Sequence, residues 1–262
     1  MERNLYKDIN TKLDEKLQTY FSQNEINKYL KGKENIIKCK YILLLKMKRK
    51  IDFILNPRNV HVCGEISENL NLTERASIEK IINYIENGDN KIINYMSKTI
   101  NKPEFHDNML NNDCIYHFHL GKNGNRSNNR LFIYFTPNDA YLIDCYKHFA
   151  EMEQILERYQ KLYKYYPELF EAKIGNSNLT NTEIKNIRSK NGVILDYPLS
   201  EKEIGHLKFR GATSGSGDYF YDIMKADELE EILKYRNTYI NVLSEKTYNN
   251  LLSEIITNFL LF

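Results

Sequence analysis

Two imidazoles stand two residues apart in Tyr116-His-Phe-His-Leu120, and cations follow them at Lys122, Arg126 and Arg130, with a further imidazole at His148. Side chains alternate across a strand, so His117 and His119 share one face while Tyr116, Phe118 and Leu120 share the other. Burying both faces would bury both imidazoles. The spacing therefore predicts a histidine face that is open or lines a cleft. Histidine moves protons near neutral pH, and Arg and Lys hold a phosphate and stabilise its developing charge. Together they suit cleavage of RNA without a metal, in which a base activates the 2′-hydroxyl and an acid protonates the leaving oxygen. The candidate catalytic set is His117, His119, His148, Arg126 and Arg130, with Lys122 on the nucleic acid. The plainer alternative is solvated loop cations beside strand histidines that only hydrogen-bond.

An HxH pair on a strand can also ligate zinc with a third histidine. His148 falls two strands away, about 10 Å sideways at about 4.8 Å per strand step. A shared ion would then need strong curvature or another strand order, and no Glu follows at the spacing of a cupin-like site. The expectation is therefore no metal and no cofactor. Gly211-Ala-Thr-Ser-Gly-Ser-Gly217 lacks both the GK[ST] ending of a P-loop and a GxGxxG fingerprint, and reads as a connection. Asp218, Asp222 and Asp227 show no ligand pattern, and Tyr159, Tyr163, Tyr165 and Tyr166 read as packing.

The elements that must position these groups come from periodicity. Leu5, Ile9, Leu13, Leu17 and Phe21 recur at helical spacing, and a second helix runs from about 35 to 55, ended by Asn56-Pro57. A short apolar piece spans Val60 to Cys63. Ile78, Ile81, Ile82 and Ile85 form the stripe of a helix that starts near Thr73, and a shorter helix covers 91–99. Three apolar runs, 114–120, 131–136 and 140–146, are separated by turn material and predict an antiparallel meander. Its up-down-up path brings His119, the Lys122 and Arg126 loop, Arg130 and His148 to one rim. Helices follow at 149–165, 182–190, 226–235 and 244–262, with short strands at 193–195 and 207–210. The fold class is α+β, an antiparallel meander between N-terminal and C-terminal helices. Residues 1–102 read as a helical region, 103–172 as the meander with its packed helix, and 173–262 as an α/β extension on the same core.

Composition bounds the function class. The 262 residues carry a formal net charge of +2, too small to imply a nucleic-acid or membrane partner by itself. Residues 31–50, however, hold eight cations against Glu34 alone, so one segment concentrates the positive charge. It reads either as the solvated face of a helix or as a nucleic-acid contact through Lys38, Lys46, Lys48, Arg49 and Lys50. Cys39, Cys63, Cys114 and Cys145 form no CxxC pair. The charged amino terminus lacks an apolar signal region, and Tyr41-Ile-Leu-Leu-Leu45 is too short to span a bilayer. A cytoplasmic protein with no membrane partner is expected.

Helices, then a meander with histidines and cations at one rim, then a packed helix: over about residues 75–170 this order resembles the small RelE/ParE-type bacterial toxins. Ile115-Tyr-His-Phe-His-Leu-Gly121 followed by Arg130-Leu-Phe-Ile also resembles a motif of uncharacterised bacterial proteins. The chain is more than twice the usual toxin length, and only residue types at the rim carry over: His117, His119, Arg126, Arg130 and His148. The resemblance implies a toxin-like or anti-phage ribonuclease acting on RNA, with an antitoxin or a phage-derived protein as candidate regulator. Two other classes compete with it. One is a non-enzymatic nucleic-acid or protein-binding module using residues 31–50, and the other is a zinc-dependent hydrolase.

Overall fold

The computed structural model describes residues 3–66, 70–100, 102–105, 108–121, 127–147, 154–190, 192, 194–208, 219–238, 240 and 243–260. In chain order the helices are α1 (Leu5–Leu17), α2 (Gln23–Leu30), α3 (Ile36–Lys50), α4 (Leu72–Asn87), α5 (Asn108–Asp113), α6 (Ile155–Tyr165), α7 (Asn181–Ser189), α8 (Phe220–Asn237) and α9 (Glu245–Ile255). The strands are β1 (Asn59–Val62), β2 (Ile115–His119), β3 (Asn129–Phe135), β4 (Asp139–Lys147), β5 (Phe170–Ile174), β6 (Tyr197–Pro198) and β7 (Glu203–Leu207). The fold is α+β, as the patterning predicts. Among the described residues no helix is long and apolar enough to cross a membrane.

The chain forms two compact units. One is built from Met1–Arg49, Asn101–Phe105 and Phe220–Phe262; the other from Lys50–Ile100 and His106–Tyr219. Helices α1, α2, α8 and α9 thus belong to one unit.

In the helical unit, Asn4 caps α1 by accepting the Lys7 N–H, and Leu5, Ile9, Leu13 and Leu17 are its buried stripe. Ser22 and Glu25 close a reciprocal capping box on α2. Helix α3 buries Tyr41, Leu43, Leu44 and Met47, and α9, capped by Ser244, buries Tyr248, Leu251 and Ile255. The turn after α9 brings the Phe259 ring edge-on to Tyr41 at 6.1 Å.

In the second unit β2, β3 and β4 form the expected antiparallel meander, and β1 adds to β4 in parallel, giving the order β1-β4-β3-β2. One face presents Tyr116, Phe118, Leu131, Ile133, Phe135 and Leu142 to the Ile78, Ile81 and Ile85 stripe of α4. Asn71 and Glu74 start α4 with a capping box, and Gly88 ends it in the left-handed region at φ 63°, where a Cβ would strike Leu55 and Pro57. The opposite face presents Ile115, Phe132, Tyr134, Tyr141 and Ile143 to Ile155, Tyr159 and Leu162 of α6 and to Phe170, Tyr197 and Leu207. Both faces are covered, so β3 and β4 read as continuous apolar runs.

A second sheet has the order β5-β7-β6, and its β6 (Tyr197–Pro198) and β7 (Glu203–Leu207) are displaced from the short strands predicted at 193–195 and 207–210. Gly205 lets β7 approach β5 closely, where a Cβ would run into the Glu171 carbonyl. Strand β5 escaped the sequence reading, since Glu171, Ala172 and Lys173 carry little strand propensity.

Candidate functional site

The ladder registers set the site. His119 pairs with Arg130, and Arg130 with Tyr146; His117 pairs with Phe132, and Phe132 with Asp144. Directly opposed residues share a face, so two rows of side chains lie abreast across three strands. The His117 and His119 rings are 6.0 Å apart, and His117 lies 6.4 Å from the Phe132 ring. Both histidines are half-buried, and Arg130 is buried. His117, His119 and Arg130 are therefore brought together. Lys122, Arg126 and His148 lie outside the described residues.

A register shift between Phe132 and Ile133 opposes Phe132 to Asp144 and Ile133 to Leu142, leaving Ile143 as the extra residue of a bulge. Strict alternation from Ile143 would send Asp144 to the α4 side. The bulge instead re-aims Asp144 and Tyr146 onto the histidine face.

Four further polar groups complete that face. The Arg158 guanidinium, wholly buried, lies 3.7 Å from the Phe132 ring centroid and 5.1 Å from that of Tyr146. Burial pulls Arg158 down to about 10, against the opposing pull of Tyr146, Asp113 and Asp144. It remains a cation at neutral pH. Burial, then the Asp144 charge and hydrogen bond, push Tyr146 up to about 12, so its phenol stays protonated. Asp144 receives Lys161 Nζ at 2.7 Å and the Cys145 N–H at 2.7 Å. The sequence does hold a signal for Arg158, which falls within the Ile155, Tyr159, Leu162 stripe of an amphipathic helix.

Behind the start of β2, Asp113 is wholly buried at the end of α5. Its Oδ1 accepts from Arg188 at 2.5 Å, Tyr159 at 2.9 Å and Tyr197 at 3.2 Å. Cys114 next to it adopts φ 53°, a left-handed conformation uncommon outside glycine. Of the four tyrosines read as packing, Tyr159 is buried in this cluster. Tyr163 donates to Glu203 at 3.0 Å, and Tyr166 packs edge-on to Tyr141 at 4.8 Å. Tyr165 is exposed.

Several cations of residues 31–50 have partners within the helical unit. Lys46 is buried and donates to the Pro103 carbonyl at 2.9 Å; Lys48 donates to the Leu260 carbonyl at 3.1 Å. Arg49 pairs with Asp222 at 2.8 Å, Lys38 with Asp227, and Lys40 with Asp14 at 2.7 Å. Lys50 is fully buried. Counting charges along the chain reveals nothing of their partners, and long stems let these lysines lie along apolar neighbours.

Among the described residues no group of three or more His, Cys, Asp or Glu could hold a metal ion. What the β2–β3 register assembles is an imidazole pair beside the Arg130 guanidinium. Comparisons with protein-family models, curated proteins and solved structures found no match for this chain.

Proposed function

We propose that the protein is a metal-independent endoribonuclease of the toxin or anti-phage type, acting in the cytoplasm on RNA. The supporting observation is that His119 stands opposite Arg130 in the β2–β3 register, with His117 on the same face. One imidazole takes the proton from a ribose 2′-hydroxyl, whose oxygen attacks the phosphorus. A second imidazole protonates the departing 5′-oxygen, leaving a 2′,3′-cyclic phosphate and a 5′-hydroxyl. Arg130 neutralises the charge that gathers on the phosphoryl oxygens. Arg126 and His148 belong to the proposed set by their place in the chain. A nucleic-acid surface on residues 31–50 has less to stand on, because Lys38, Lys40, Lys46, Lys48 and Arg49 already have partners within the fold.

The test is degradation of total RNA in the presence of EDTA. His119→Ala should lower the rate by about 10²-fold or more, the usual share of a general acid or base, with the melting temperature near wild type. A folded His119→Ala protein that cuts at the wild-type rate overturns the assignment.

A further inference from the structure

Strand β5 is the outer strand of the small sheet and, among the described residues, pairs only with β7. Two bonds bracket the ladder: Lys208 N–H to the Leu169 carbonyl at 2.9 Å, and Gly175 N–H to the Lys202 carbonyl at 3.0 Å. In an antiparallel ladder inward and outward residues alternate. Glu171 and Lys173 therefore turn their backbone groups to β7, while Ala172 and Ile174 turn theirs to the open side. Among the described residues those outward groups make no hydrogen bond. Residues Glu171 to Ile174 are all exposed, and Ile174, an apolar strand residue, is 94% exposed. An edge like this is a template for another strand.

We propose that its occupant is a second copy of the same strand, paired antiparallel about a two-fold axis at Ala172. The sequence Phe170-Glu-Ala-Lys-Ile174 complements itself in this register. Ala172 meets Ala172 of the second copy, and the two exchange both outward hydrogen bonds. Glu171 faces Lys173 of the second copy, and Lys173 faces Glu171, so both charges are matched. Ile174 comes beside Phe170 and donates its N–H to the Phe170 carbonyl. Within the chain Glu171 leans on His206 at 3.3 Å and Lys173 on Asp196 at 2.6 Å. Both side chains remain mostly exposed and point from the same sheet face, available to a partner. The contact is isologous and joins two small sheets into one. A single strand pair buries little area, so the dimer is weak and concentration-dependent.

Sedimentation equilibrium over a concentration series tests this with three variants. Wild type should move from monomer toward dimer mass as concentration rises. Lys173→Glu and Glu171→Lys each place like charges opposite one another, and each alone should dimerise at least about tenfold more weakly. Mixed one to one, they should recover a dimer, because an all-acidic edge then meets an all-basic one. Ala172→Pro removes an outward N–H without touching the β5–β7 ladder and should also lower association, with circular dichroism showing that it folds. Wild type that stays monomeric at its solubility limit, or a mixture no more dimeric than its components, overturns the proposal. If the charge variants do not fold, Ala172→Pro decides alone: undiminished association then sinks it.

Discussion

The Arg158 guanidinium lies 3.7 Å over the ring of Phe132, the residue that pairs with His117 in the β2–β3 ladder. A fully buried cation thus supports the strand residue directly beside the imidazole pair. Arg158→Ala removes the buried cation from the Phe132 and Tyr146 rings and leaves a cavity in its place, and should destabilise the fold by about 2–5 kcal/mol. Urea denaturation monitored by circular dichroism measures it. A loss below about 1 kcal/mol would mean that the guanidinium contributes nothing beyond ordinary surface charge.

The Asp113 carboxylate accepts from Arg188, Tyr159 and Tyr197. Burial works against the Arg188 charge, but Asp113 and Tyr197 outweigh it and raise the guanidinium above its ordinary value. Asp113→Asn keeps the shape and removes the compensating charge, so it should cost about 3 kcal/mol in the same assay. Asp227→Asn, at a half-exposed ion pair with Lys38, should cost about 0–1 kcal/mol. Equal losses in the two variants would refute this ranking.

His61 reaches Asp139 at 2.9 Å while its ring stacks on Tyr141. That hydrogen bond, helped by Asn59 and Thr136, holds the Asp139 carboxyl below its ordinary value of 3.8. A depressed carboxylate stabilises the fold above its unfolded value, and the contribution disappears as pH falls through the folded one. His61→Phe keeps the stack and removes the bond. The Asp139 carboxyl should then titrate at higher pH in carbon-detected NMR, and the variant should lose stability above about pH 4 but not well below it. An unmoved Asp139 titration would show that His61 is not the cause.

Burial pushes the Cys63 and Cys145 thiols up to about 12. At pH 8 only about one in 10⁴ of either is thiolate, the reactive form. Native protein treated with iodoacetamide should therefore leave both unmodified, and denatured protein should lose both thiols, read by peptide mass spectrometry. Rapid labelling of Cys63 in the native state would contradict its burial.

What the sequence by itself determined was whatever local periodicity encodes. The Ile78, Ile81 and Ile85 spacing specified α4, and the three apolar runs with their turns specified the meander. The parity of His117 and His119 specified a shared face. Each of these follows from one element's division between core and water. Tertiary structure decided the rest, because it depends on which distant groups meet. The bulge at Ile143 sends Asp144 to the histidine face, and no pattern in that run marks it. Arg158 and Asp113 became buried charges only because partners from other elements close around them. The lysines of α3, counted as a basic face, were taken up by Asp14, Pro103 and Leu260 from remote parts of the chain. Charge can be counted along a sequence, but its compensation requires proximity in space.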